Sequence, residues 1–174
     1  EAASGEFLIF IGDDDLVSPD AVTVAEWAQR KQLEVISFSF PVLYYWPGFV
    51  STTRWKARGA TLAIEPYDGT VQTLDTHAAL RHALQNLGGG VYDMPRAYAG
   101  MVSRALVDRI VARHGALFGG VSPDIYSAAL ISLEARKAVH IDFPVVVPGA
   151  CASSTSGHSA RSRHVGGLRD NSHI

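Results

Sequence analysis

The chain has 174 residues, 47% hydrophobic and 18% charged, with 15 Lys and Arg against 17 Asp and Glu and a net charge of −2. That balance supplies one globular domain with its own core and excludes a charge-driven nucleic-acid binder, since the basic stretches at 54–58 and 161–163 are too sparse to alter it. A single cysteine, Cys151, rules out an internal disulfide framework and fits a reducing compartment, and no apolar run approaches the ~20 residues of a membrane span.

Phe7-Leu8-Ile9-Phe10-Ile11 opens the pattern as an unbroken apolar run, which predicts a strand buried on both faces inside a parallel sheet. Only six residues precede it. An interior strand needs neighbours on both sides, so the expectation is a domain whose earlier strands are missing; a small α+β domain starting on its central strand is the alternative. Gly12 and three consecutive carboxylates, Asp13, Asp14 and Asp15, follow directly. Like charges a few ångströms apart are costly, and a divalent cation resolves the conflict. The carboxyl ends of parallel strands are also where α/β sheets bind ligands. Hard oxygen donors suit Mg²⁺ or Mn²⁺ rather than Zn²⁺, and the spacing excludes an EF-hand.

Ser18-Pro19-Asp20 is a helix start: an N-cap, a proline at the first helical position and an acid at the positive end of the dipole. The helix is predicted to run to Lys31, with Val24, Ala25, Trp27 and Ala28 on its buried side. Leu33 to Phe40 is β-rich and ends at Pro41. Residues 41–75 mix aromatics with Pro and Gly (Tyr44, Tyr45, Trp46, Phe49, Trp55), an excursion that either forms a stacking surface for sugars or lipids or simply covers a sheet edge. Thr76 to Leu87 and Leu106 to His114 are helical in pattern, each stopped by glycine. Ser122-Pro123-Asp124 repeats the helix start, and 139–147 is a last strand broken by Pro144. Beyond Pro148 the composition turns to Gly, Ser, His and Arg, a tail expected to order only over a site. His77, His82, His114 and His140 fall within these regular patterns and read as structural.

The segment from Phe7 to Ala21, an apolar strand delivering clustered aspartates and then a Pro-Asp helix start, resembles the central motif of family 2 glycosyltransferases. The stretches Tyr92-Asp93-Met94-Pro95, Val102-Ser103-Arg104 and Gly120 to Tyr126 are similar to the acceptor-side segment of that family. The resemblance is strong over 5–40 and 92–150 and almost absent over 44–80. It implies a GT-A-like α/β fold with a mainly parallel sheet flanked by helices, residues 1–150 forming the C-terminal part of the family domain, without its N-terminal nucleotide-binding strands, and 151–174 a flexible tail. It further implies a metal-dependent, inverting transfer of a sugar from a nucleotide-sugar donor to a glycan or lipid-linked acceptor.

Position by position, Asp14 matches the last acid of the family's Asp-x-Asp element, which touches the metal. Gly12 stands where the first acid is expected, so Asp13 or Asp15 has to supply that contact. Asp124 matches the catalytic base, with Pro123 where the family usually has Glu. His158 and His164 lie where family members often place a histidine that completes the metal shell or meets the pyrophosphate, and Arg161 and Arg163 could pair with phosphates. The resemblance therefore assigns Asp124 to catalysis, Asp13 and Asp15 to cofactor binding, and Asp14, Asp15 and His158 to Mn²⁺ or Mg²⁺. It implies a cytoplasmic location with peripheral association at the inner face of a membrane. Two other classes remain open on the residues alone: a degenerate or truncated domain that binds sugar or a partner without catalysis, and a metal-dependent nucleotidyl- or phosphotransferase.

Overall fold

The computed structural model describes residues 3–52, 58–98 and 100–161, without the side chains of Thr155 and Ser156. In chain order its elements are β1 (Phe7–Ile9), β2 (Leu16–Val17), α1 (Asp20–Lys31), β3 (Val35–Phe38), β4 (Val42–Tyr45), β5 (Thr61–Ile64), β6 (Val71–Leu74) and α2 (Thr76–Gln85). A 3₁₀ turn (Val91–Asp93) leads to β7 (Gly100–Ser103), α3 (Arg104–His114), α4 (Pro123–Glu134), β8 (Ala138–Ile141), β9 (Val146–Val147), β10 (Gly149–Ala150) and α5 (Thr155–Ala160).

The fold is α/β with mixed sheets. The main sheet runs β1-β7-β3-β8-β6, and a smaller one runs β10-β4-β5. Within the main sheet β3 and β8 pair in parallel, while β1–β7, β7–β3 and β8–β6 are antiparallel. The expectation of a mainly parallel sheet is therefore corrected for the described residues: β7 enters between β1 and β3 with reversed direction, leaving one parallel ladder in four among them.

β1 stands at the margin of the described sheet. Among the described residues β1 pairs only with β7, as Phe7 with Ser103 and Ile9 with Met101, and it lies half-buried at the sheet edge. Its unbroken apolar run packs on both faces of the sheet. Phe7 and Ile9 pack with Ile36, Met101 and Val139 towards Ala28 and Trp27 of α1. Leu8 and Phe10 pack on the other face with Val102, Leu106, Ile110 and Ile131 of β7, α3 and α4. Helices cover both faces, which is why every position is apolar.

Ile36, Met101, Leu106, Ile110 and Ile131 are the largest fully buried side chains. Each contributes about 1.5–3 kcal/mol relative to exposure. The N-cap of α1 is Pro19, at φ −54° and ψ −25°, rather than the expected Ser18, although the Ser18 Oγ accepts the Asp20 N–H at 3.2 Å. Asp75 and Ser103 cap α2 and α3 with side-chain oxygens. Ser122 makes no such bond at α4. The two Ser-Pro-Asp starts are thus alike in sequence and different in capping.

The excursion at 41–75 resolves into the antiparallel β4–β5 pair and into β6, which joins the main sheet. Phe49 is buried and Tyr44, Tyr45 and Trp46 are half-buried, with Tyr44 edge-on to Trp46 at 4.9 Å. These aromatics pack internally; Trp55 lies outside the described residues. The histidines at 77, 114 and 140 hydrogen-bond to Leu133 O, Glu134 Oε1 and Ser39 Oγ. Among the described residues no helix is long and apolar enough to cross a membrane.

Candidate active site

Beyond Ile9 the chain leaves the sheet and turns sharply at 12–15. Asp15 closes that turn, accepting the Gly12 N–H on Oδ2 at 2.8 Å. Its other oxygen, Oδ1, accepts the Gly149 N–H at 2.8 Å. Asp14 is held from two sides: the Trp46 indole donates to its backbone carbonyl at 2.7 Å, and the Cys151 N–H donates to its Oδ2 at 3.1 Å. Asp13 is exposed and makes no hydrogen bond or ion pair among the described residues.

The segment that clasps this turn is anchored by backbone pairing. Leu16 and Val17 pair antiparallel with Val147 and Val146, and Gly149 and Ala150 pair in parallel with Tyr44 and Tyr45. At Gly149 the backbone passes so close to the Asp14 carbonyl that any β-carbon would collide with it and with the Trp46 indole nitrogen. Only glycine permits that approach. A β-carbon at Gly12 would stand 3.3 Å from Asp14 Oδ1 and from Asp15 Oδ2, so glycine there leaves the carboxylates room.

The aspartate turn and Asp124 line one cleft of about 690 Å³, together with Tyr98, Cys151, Ser153 and Ser154. Asp124 lies in the first turn of α4, where the helix dipole favours an acid. Its Oδ2 is 3.6 Å from the Arg96 guanidinium, and its Oδ1 is buried with no hydrogen-bond partner. Arg96 in turn lies over the Tyr92 ring, 5.0 Å from its centroid. No Lys or Arg lines the cleft among the described residues.

Of the residues singled out in the sequence, the structure brings Asp13, Asp14, Asp15 and Asp124 to one cavity. His158 is exposed on α5 and does not line it. Arg161 hydrogen-bonds to the carbonyls of Gly157 and Ala152, and His164 and Arg163 lie outside the described residues. Among the described residues no three His, Cys, Asp or Glu side chains converge as a metal cage. A hard cation that keeps several waters needs only one or two carboxylates together with substrate oxygens. Asp13 and Asp14 fit that requirement, and Asp15, which accepts one backbone N–H on each oxygen, keeps a further lone pair on each.

Sequence reasoning missed Tyr98, Gly149, Cys151, Ser153 and Ser154. The only signal for the last four was the change to small residues after Pro148. Cys151 is half-buried, with Sγ 3.3 Å from Ser153 Oγ. The hydrogen bond with the Ser153 side chain lowers its thiol pKa below the ordinary value; burial opposes this and Ser154 adds to the lowering. Ser154 caps α5 by accepting the Gly157 N–H at 3.2 Å. Compared with known proteins, the chain matches no protein-family model and no curated protein.

Proposed function

We propose that this chain is the catalytic part of a metal-dependent, inverting glycosyltransferase that uses a nucleotide-sugar donor. The observation that carries the reading is the content of the cleft. Four carboxylates from two distant stretches of sequence face one cavity, and no basic side chain accompanies them in its lining. Such a cavity repels a diphosphate unless a cation accompanies it. Asp13 and Asp14 would hold Mn²⁺ or Mg²⁺ through hard oxygens, and the ion, when bound, neutralises charge on the departing diphosphate.

Asp124 supplies the other half of the chemistry. The acceptor oxygen forms its bond to the anomeric carbon as the bond from that carbon to the diphosphate oxygen breaks. The electron pair leaves with the nucleoside diphosphate, and the acceptor's proton passes to Asp124. The Asp15 carboxylate keeps the turn in shape, and the Trp46 indole fixes the direction of the Asp14 backbone.

Calorimetry with Mn²⁺ and a panel of nucleotide sugars tests the reading, followed by product analysis. The expected products are a glycoside and a nucleoside diphosphate; released pyrophosphate would instead indicate nucleotidyl transfer. Asp14→Asn is expected to lower metal-dependent donor binding by at least about tenfold, the loss of one charged contact. Asp124→Asn should leave donor binding within about twofold and lower turnover by 10²–10⁴-fold, roughly the contribution of a general base. Absence of metal-dependent nucleotide binding by the full-length protein would overturn the proposal.

A further inference from the structure

A second cavity, of about 280 Å³, opens beside the acidic cleft, and Arg96 belongs to its wall together with Tyr92, Asp93, Ser37 and His140. Ser37 and His140 are direct neighbours across the parallel β3–β8 ladder. His140 is oriented by the Ser39 hydroxyl, 3.0 Å from its Nε2. The volume lies just below the range of about 300–1,000 Å³ typical of pockets for drug-sized ligands, which suits a single ring.

Arg96 is the unusual member. A guanidinium carries five N–H donors in a planar fork. Among the described residues this one donates no hydrogen bond. Its side chain is 22% exposed, and its one ionic contact is the 3.6 Å approach to Asp124 Oδ2. Charge-assisted hydrogen bonds of this kind close to about 2.7–2.9 Å when they form. The partner is equally unsatisfied, since Asp124 Oδ1 is buried without a hydrogen bond. Tyr92 supports the guanidinium from beneath and leaves the edge of the fork free.

We propose that this second cavity binds a hydroxylated carboxylic acid of one sugar ring, a uronic acid, whose carboxylate draws Arg96 away from Asp124. The planar fork matches a carboxylate bidentately. Asp93, an exposed acid in the same wall, argues for the hydroxyls: it accepts hydrogen bonds from a polyol and repels a bare anion. Ser37 and His140 offer further partners for ring hydroxyls. Binding frees Asp124 at the moment a hydroxyl arrives beside it, coupling occupancy of one cavity to readiness of the other. That the acid is the acceptor rests on the glycosyltransferase reading; that the cavity binds it does not.

The test is an NMR titration of the full chain, without metal or nucleotide, using methyl glucuronide, methyl glucoside and inorganic phosphate. Methyl glucuronide is expected to bind at least about tenfold more tightly than methyl glucoside, the worth of one charge-assisted contact. Arg96→Gln should bring the two ligands together, and Arg96→Lys should fall between, because it keeps the charge and loses the fork. Asp124→Asn should tighten methyl glucuronide severalfold by removing the competitor for Arg96, a gain that a purely structural ion pair does not produce. Equal binding of the two sugars, binding of neither, or weakened binding in Asp124→Asn would overturn the proposal. Phosphate binding as tightly as the glucuronide would overturn it in favour of a bare anion site. If glucuronide binds as expected and no sugar transfer is found, only the glycosyltransferase reading fails.

Discussion

Asp15 accepts a backbone N–H on each carboxylate oxygen, from Gly12 and Gly149, whereas Asp13 is exposed and unpaired among the described residues. Neighbours in sequence thus divide between structure and chemistry. Removing a partner leaves a desolvated donor unsatisfied, at about 1–3 kcal/mol. Asp15→Ala is therefore expected to destabilise the chain by about 1–3 kcal/mol, while Asp13→Asn stays within about 0.5 kcal/mol of the parent. Urea denaturation midpoints measure both, and equal losses at the two positions would remove the distinction. The cluster itself was legible in the sequence because three adjacent carboxylates have few structural excuses. The division among them was not, since it depends on Gly149, a residue from the far end of the fold. Tyr98 and Arg96 were invisible for the same reason: each is an ordinary residue until folding brings Tyr98 into the acidic cleft and Arg96 beside Asp124.

At the scale of elements, helix α1 was read from its Ser-Pro-Asp start and its apolar spacing, and it spans Asp20–Lys31. Periodicity and capping are local, so they survive without knowledge of the fold. Strand order is not local: the apolar run reports that both faces of β1 are covered, and it does not report that β7 pairs with it in reverse. The α3–α4 contact carries a second non-local feature. Glu134 is buried at the C-terminal end of α4, where the helix dipole disfavours an acid. It is held by His114 at 3.0 Å and Arg113 at 2.9 Å, with Arg109 at 3.7 Å, and Arg109 also pairs with Glu34 at 2.8 Å. The His114 hydrogen bond, and after it Arg113, lower the Glu134 pKa below its ordinary value of 4.5, against the opposing effect of burial. A depressed folded-state pKa stabilises the fold fully above the unfolded value and loses that contribution as pH falls through the folded one. The difference in urea midpoint between the parent and Glu134→Gln should therefore be full near pH 5.5 and shrink on acidification below 4.5. A gap that stays constant down to pH 3, about the lower limit of such a titration, would show that the charge on Glu134 contributes nothing.

For the whole molecule, the arrangement that matters is the meeting of chain from 12–15, 98, 124 and 148–154 around one acidic cavity. The aspartate turn hangs from the end of β1 and is clasped by the β9–β10 segment, so the cavity exists only once the sheets and helices are assembled. Concentrating carboxylates in this way costs folding free energy through mutual repulsion, and a cation that binds the folded state alone offsets the cost. Mn²⁺ or Mg²⁺ at ten times its dissociation constant should stabilise the fold by about 1.4 kcal/mol. For a chain of this size that corresponds to a rise in Tm of about 3–6 °C. Sodium chloride at matched ionic strength should give a clearly smaller rise, because screening acts on all surface charges and coordinates none. The double variant Asp13→Asn, Asp14→Asn should begin with an equal or higher Tm in the absence of divalent ions and gain nothing when they are added. Equal shifts from sodium chloride and the divalent ions, or an undiminished divalent shift in the double variant, would mean that the cleft holds no cation and that the four carboxylates need another explanation.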